Sequence, residues 1–313
     1  MEQTRPTTDE DVRRDATPVV RRGVLAALWL ALRPQQWVKN LLVVAPLLFS
    51  ENLFNASAFA RSAAAFFLFC AASSAGYLIN DLRDLERDRL HPFKRRRPLA
   101  SGRLAPRAAL FAALLLLVAS LAGSFALSRA FGLVLSLYLL VSLSYTFLLK
   151  HLVILDVFAA ASGFVLRAVG GALVIQVELS SWLLVCTTLL SLFLGFSKRR
   201  YELLLLKEQA GSHRQVLEEY NPRFLDMMIG IVSASTVTSY TLYTVSEETI
   251  QRFRTRSLLF TLPFVLYGIF RYLYLVYHKE RGGDPIETAF ADPAMLVNLL
   301  LWASAVVAIL YWR

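Results

Sequence analysis

Residues 56–88 read ASAFARSAAAFFLFCAASSAGYLINDLRDLERD, an apolar run that breaks into alternating acid and base. At about 1.5 Å of rise per residue, Ala56 to Ile79 is long enough to cross a hydrocarbon core of about 30 Å. Other stretches repeat the pattern. Ala108 to Leu127 and Gly132 to Leu149 carry no charge at all. The chain of 313 residues is 56% hydrophobic, with a mean hydropathy of +0.51, whereas soluble domains sit nearer 45–50% apolar. The fold class is therefore all-α, a polytopic membrane helical bundle. A membrane β-barrel would show short alternating segments instead.

Nine spans are expected. They are Gln35 to Phe49, preceded by an amphipathic stretch Val24 to Leu32, then Ala56 to Ile79, Pro106 to Leu127, Ala130 to Leu149 and Val153 to Ile175. Trp182 to Phe196 follows, continuing as helix towards Leu206, and then Phe224 to Val245, Leu258 to Tyr277 and Ala294 to Tyr311. Lys and Arg crowd the loops after the even-numbered spans, from Arg83 to Arg107, at Lys150, from Lys198 to Arg214, and at Lys279 and Arg281. The positive-inside rule then places these loops and the N-terminus in the cytoplasm. Arg252, Arg254 and Arg256 run against that pattern. Residues 1–22 are polar, with no apolar h-region before Gly23, and read as a disordered cytoplasmic tail. Residues 23–313 form one transmembrane domain. The net charge of +10 reports cytoplasmic loops, not a nucleic-acid partner. Cys70 and Cys186 both fall in apolar spans, which argues against a disulfide framework.

The chemistry concentrates at Asn80-Asp81-Leu82-Arg83-Asp84-Leu85-Glu86-Arg87-Asp88. On a helix, Asn80, Asp84 and Asp88 share one face, with Asp81 beside them. Hard oxygen ligands at a membrane helix end suit Mg²⁺, which keeps waters and phosphate oxygens in its shell. A solvated helix end laced with charge pairs is the alternative. Lys94, in the run His91-Pro92-Phe93-Lys94-Arg95-Arg96-Arg97-Pro98, brings cation near these acids, as a phosphate site needs. Tyr145, Lys150, His151 and Asp156 open the fifth span, and Arg167 lies within it on nearly the stripe of Asp156. A lipid-facing arginine is costly, so Arg167 faces a cavity or a partner, a structural ion pair being one option. Lys39 and Asn40 stand at the first span, and Lys198 and Arg199 end the sixth. Acid and cation from several spans thus converge on one side, as a pocket for a metal-bound polyphosphate requires. No Ser-His-Asp triad, H-E-x-x-H motif or Gly-rich nucleotide loop occurs.

Asn80-Asp81-x-x-Asp84-x-x-x-Asp88 resembles the first motif of the UbiA superfamily of intramembrane prenyltransferases. Within it, Arg33-Pro34-Gln35-Gln36-Trp37-Val38-Lys39-Asn40, Tyr77 to Asp81, His91 to Pro98, Tyr145 to Asp156, Gly163-Phe164-x-x-Arg167 and Gly282-Gly283-Asp284-Pro285 resemble the branch that transfers phosphoribose to decaprenyl phosphate. The resemblance implies 5-phosphoribosyl 1-pyrophosphate as donor, bound through Mg²⁺ on Asn80 and Asp84, with Asp81 and Asp88 in support. It implies donor contacts from Tyr77, Lys94 and Lys39. Lys150, Arg167, Lys198 and Arg199 would serve the lipid phosphate or the ribose 5-phosphate. In the aromatic prenyltransferases of the superfamily, a second aspartate-rich motif holds more Mg²⁺ on a prenyl pyrophosphate. Here Tyr145 to Asp156 offers one Asp beside Lys150 and His151, which favours a polyprenyl monophosphate as acceptor. The rival readings are a UbiA-type prenyltransferase with an aromatic or other small acceptor, and a lipid-phosphate transporter. A homo-oligomer stays open.

Overall fold

A computed structural model describes residues 23–91, 94–208, 219–279, 283 and 285–312. The tail 1–22, Pro92 and Phe93 of the basic run, and Gly282 and Asp284 of the late loop lie outside the described residues. The described residues are helical, with no strand among them. In chain order they form α1 Val24–Leu32, a 3-10 segment Pro34–Val43, α2 Ala45–Phe49, α3 Ala56–Arg83, α4 Leu85–Leu90, α5 Pro106–Leu127, α6 Arg129–Phe147, α7 Leu155–Val174 and α8 Ser181–Glu208. There follow α9 Pro222–Val245, α10 Glu247–Phe253, α11 Leu262–His278, α12 Pro285–Ala291 and α13 Pro293–Tyr311.

Local chemistry sets these boundaries. Asn55 caps α3 through its side-chain oxygen, which accepts from the Ser57 and Ala58 amides at 3.1 and 3.2 Å. Ser128 caps α6 and Asp292 caps α13 in the same way, each cap worth about 1 kcal/mol. Prolines 106, 222 and 293 stand at helix starts, where a missing N–H costs nothing.

Among the described residues, seven helices are long and apolar enough to cross a membrane. The other two expected spans take different forms. Phe224 to Val245 lies in one 24-residue helix, α9, but hydroxyl side chains from Ser233 to Thr244 dilute its apolar character. Gln35 to Phe49 is no regular α-helix. Ten residues of 3-10 turn at about 2.0 Å rise, then five α-helical residues at about 1.5 Å, still reach roughly 27 Å. Gly171 explains the tight fit of this segment on α7: a Cβ there would lie 2.0 Å from the Val43 carbonyl oxygen. The stretch Val24 to Leu32 forms α1 but is apolar all round, with Leu25 81% exposed.

Consecutive long helices pack antiparallel, and α7 lies at the centre against α3, α6, α8 and the 3-10 segment. One core cluster is built on Val157, Phe193, Phe196 and Tyr272, a second on Phe69, Phe131, Leu135 and Tyr138. The outer helices α5 and α13 leave apolar side chains such as Phe111 and Leu300 exposed, as a surface solvated by lipid does. One end of the bundle gathers the C-termini of α3, α6, α8 and α11 with the N-termini of α7 and α9. Polar side chains stitch that end together.

Candidate active site

The acidic motif straddles the end of α3. Asp84 is the last cap of α3 and precedes α4, so the chain bends within the motif. The bend sorts its members into two sets. Asp81 and Asp88 are buried, 2% and 3% exposed, and turn towards arginines. Arg33 Nη2 donates to Asp81 Oδ1 at 2.6 Å, and Arg97 Nη1 donates to Asp81 at 3.0 Å and to Asp88 at 2.6 Å. Arg33 also lies over the Tyr77 ring, 5.1 Å from its centroid. Asn80 and Asp84 face elsewhere. Lys150 Nζ donates to both Asp84 oxygens, at 3.0 and 3.1 Å, while Asn80 makes no side-chain hydrogen bond among the described residues.

Lys150 reaches Asp84 because α6 ends beside α3. Arg83 donates to the Thr146 and Phe147 carbonyls and lies over the Phe147 ring, which ties the end of α6 to the end of α3. The 3-10 turn Leu149–His151 then buries Lys150 next to Asp84.

A second cluster closes the start of α7. Asp156 is fully buried and accepts from Arg199 Nε at 2.5 Å and from the Tyr220 hydroxyl at 2.7 Å. Arg199 also donates to Glu202 at 2.5 Å and to the Tyr145 hydroxyl at 3.0 Å. Burial holds the Tyr220 hydroxyl protonated, well above its ordinary pKa, and its hydrogen bond to Asp156 adds to that.

The expected stripe of Asp156 and Arg167 makes no ion pair. Eleven residues along a helix span roughly 16 Å, so a shared face does not bring the two together. Arg167, 5% exposed, is held by neutral groups: Nε donates to Asn40 Oδ1 at 2.6 Å, Nη1 to the Gly163 carbonyl at 2.8 Å, and Nη2 to the Tyr138 hydroxyl at 2.9 Å. Asn40 in turn donates to Cys70 and Ser73 of α3. Arg167 thereby pins the 3-10 segment, and Lys39 with it, to the bundle.

Lys94 opens the 3-10 turn Lys94–Arg96, and its amide donates to His91 Nδ1 at 3.3 Å. Burial, and then the Lys94 charge, push the His91 pKa below its ordinary 6.5. Lys198 is half-buried in α8, one residue before Arg199. Among the described residues, no three His, Cys, Asp or Glu side chains converge as a complete metal cage. Arg33, Arg97, Tyr138, Glu202 and Tyr220 belong to these clusters but were not candidates from the sequence. Arg33 and Arg97 sit inside the quoted motifs, where a loop anchor explains a basic residue equally well. Tyr220 had no local signal at all.

A bundle of antiparallel membrane helices that gathers acid and base at one end of its central helices is the framework of an intramembrane transferase. The chain belongs to the UbiA prenyltransferase family, whose profile matches residues 23–200. Its relatives narrow the branch. The chain is 36% identical to a protein of Corynebacterium glutamicum named decaprenyl-phosphate phosphoribosyltransferase, covering 90% of this chain and 86% of that one. It is 34% identical to the protein of the same name from Mycolicibacterium smegmatis, over 93% and 94% of the two chains. The fold is that of a UbiA homologue from Archaeoglobus fulgidus solved with DMAPP and Mg²⁺, at a TM-score of 0.69 and 18% identity, covering 90% of this chain and 98% of that one.

Proposed function

We propose that the chain is a Mg²⁺-dependent pentosyltransferase that moves 5-phosphoribose from 5-phosphoribosyl 1-pyrophosphate to a polyprenyl phosphate, decaprenyl phosphate in its named relatives, and releases pyrophosphate. The observation that carries this reading is the closure of the second cluster. Arg199 and Tyr220 take both oxygens of Asp156, and Arg199 also holds Glu202. That leaves Asn80 and Asp84 as the acid-and-amide pair open to a metal, enough for one pyrophosphate and not for two. A prenyl pyrophosphate donor handled by two carboxylate motifs fits this less well.

The pair suits Mg²⁺. Asn80 has an uncommitted amide oxygen, and Asp84 is partly exposed, at 22%, with one lysine on it. Two protein ligands suffice for an ion that completes its shell with water and phosphate oxygens. Mg²⁺ held there would supply charge neutralisation to a pyrophosphate leaving group. The rest falls to the chain's own residues. Lys150, released from Asp84, and Lys39, Tyr77 and Lys94 position the donor. Lys198 meets the second anion. Arg167, Arg199, Tyr145 and Asp156 hold the frame around them, and Asp81 and Asp88 fix Arg33 and Arg97.

In the reaction an oxygen of the lipid phosphate forms a bond to ribose C1, and the bond from C1 to the pyrophosphate oxygen breaks with its electron pair on the leaving group. The lipid phosphate is already ionised at pH 7, so no general base is needed. Positioning of two anions and neutralisation of the leaving charge carry the rate. The basic runs at Lys94–Arg96 and Lys198–Arg200 on the site end support a cytoplasmic position for it in the cell membrane.

The test uses full-length protein in nanodiscs with Mg²⁺ and ribose-labelled donor. Label should enter the lipid phase only with polyprenyl phosphate present. Prenyl transfer from a prenyl pyrophosphate to an aromatic acid, with no labelled lipid, would overturn the reading in favour of the ordinary prenyltransferases.

A further inference from the structure

The connection from α6 to α7 carries Lys150 and ends on a strained residue. Ile154 has φ +69° and ψ −48°, and the Leu155 amide donates back to the Val153 carbonyl at 2.8 Å. This is a γ-turn of the rare positive-φ kind. Five non-glycine residues have positive φ among the described residues, and Ile154 is the only β-branched one, the type least suited to that conformation. Its side chain is 38% exposed, so packing does not explain the turn. The turn is held from outside. Ile154 is the N-cap of α7 and offers no capping side chain of its own. Its amide donates to the Tyr220 hydroxyl at 2.7 Å, and that hydroxyl donates to Asp156 at 2.7 Å. Closing the Asp156 cluster needs only the proton of Tyr220. The bond from Ile154 takes an oxygen lone pair and serves the turn. Tyr220 is a fixed point: it is 5% exposed, stacks on Phe224 and packs in the core cluster with Val157 and Leu225.

We propose that Tyr220 is a positioning residue for the transfer: it holds the strained turn at Ile154, and the turn sets the Lys150 ammonium beside Asp84, where it meets the pyrophosphate of the donor. Lys150 lies between two ties. On the α6 side, Arg83 donates to the Thr146 and Phe147 carbonyls. On the α7 side, four positions after Lys150, the tie is the bond from Ile154 to Tyr220. Between them Lys150 is 4% exposed, with Nζ on both Asp84 oxygens. Without the Tyr220 hydroxyl, the Ile154 amide loses its acceptor and the residue relaxes to negative φ. That rotation redirects the chain leading back to Lys150 and draws the ammonium off Asp84. Strained backbone persists only where its surroundings over-determine it, and it clusters where a side chain must be placed. The role in catalysis rests on the phosphoribosyl transfer proposed above; the link from Tyr220 to Lys150 does not.

The link is read without turnover by acetylating lysines with acetic anhydride. Full-length protein in nanodiscs is used, with neither Mg²⁺ nor sugar donor. Mass spectrometry follows Lys150 against Lys279, which is exposed at the end of α11. Tyr220→Phe keeps the ring and removes the hydroxyl. It should raise Lys150 acetylation about tenfold relative to Lys279, within the range one strained residue commands. It should lower turnover in the labelled-ribose assay by a similar factor and leave the KM for polyprenyl phosphate unmoved. The same variant takes a hydrogen bond from Asp156, so a second change separates the two effects. Adding Ile154→Gly lets the turn hold positive φ without its clamp and leaves Asp156 as in the single variant. Glycine should return both readouts most of the way to wild type, whereas Ile154→Val should return neither. Should Tyr220→Phe lose its monodisperse gel-filtration peak, Ile154→Gly must bring it back. Unchanged acetylation in Tyr220→Phe, no rescue by glycine, or equal rescue by valine would each overturn the proposal. Raised acetylation at wild-type turnover would overturn the role in the transfer. A wild type that moves no ribose would refute the assigned reaction and that role with it, while the acetylation series still decides whether Tyr220 sets Lys150.

Discussion

Replacing Arg199 by methionine tests whether the Asp156 cluster holds the fold. The substitution keeps much of the side-chain volume and removes the charge. Asp156 is fully buried, and one of its two partners is gone. Breaking a buried pair from one side costs about 3–5 kcal/mol, because a carboxylate is left desolvated. The Tyr220 hydroxyl still donates at 2.7 Å, and a hydrogen bond to a charged group recovers about 1.5–3 kcal/mol only if it was not already made. It was, so nothing offsets the loss. Glu202 and Tyr145 lose a donor as well, but Glu202 is 26% exposed and can turn to water. A net loss of about 4 kcal/mol lowers the melting midpoint by roughly 8–16 °C at about 2–4 °C per kcal/mol. Asp156→Leu alone should cost less, because Arg199 keeps Glu202 and Tyr145, so the loss to be recovered is that of Arg199→Met. The double variant should recover most of it, because an apolar pair of similar volume has no charge to desolvate. Melting of the three variants in one detergent, followed by fluorescence, measures the coupling. Additive losses, or an Arg199→Met shift below about 2 °C, would refute a structural ion pair and return both residues to the substrate.

Asp84→Ala should lower turnover about 10²–10³-fold in the labelled-ribose assay, on the scale of a lost oxyanion contact, and should lower the melting midpoint as well, because buried Lys150 loses its partner; a wild-type rate in the purified variant would end the metal assignment. Gly171→Ala should abolish the monodisperse gel-filtration peak, because its methyl group meets the Val43 carbonyl at 2.0 Å, and a normal peak would show that the 3-10 segment is not seated there. His91 is neutral in the fold with its pKa lowered from 6.5. Protonation therefore favours the unfolded chain: a stability cost begins as pH falls below about 6.5, grows until the folded pKa is reached and is absent at higher pH. His91→Gln should remove that part of the melting profile, and identical pH profiles for the two proteins would contradict the assignment.

Most of the helices were legible because the bilayer demands them. A spanning segment has few alternatives to an apolar helix, so Pro106 to Leu127 could be read to the residue from its proline and its charge-free run. Partner choice was not legible. A helical stripe gives direction but not distance, so Asp156 and Arg167 shared a face without sharing a contact. Clustered acids could be seen, but the bend at Asp84 that divides them between Lys150 and the two arginines is tertiary. The 3-10 form of the segment Pro34–Val43 was not legible either, since its seat against Gly171 lies more than a hundred positions away.

The partners of the two charges on α7 have a consequence in time. Arg167 binds Asn40, Tyr138 and Gly163, all made before it. It is satisfied as soon as α7 enters the bilayer. Asp156 depends on Arg199 and Tyr220, 43 and 64 positions later. At about 5–20 residues per second, its first partner emerges roughly 2–9 s after it. For that interval α7 carries an unpaired carboxylate near one end of its span. The ribosome's pace and the arrival of α8 thus set when this half of the bundle can close.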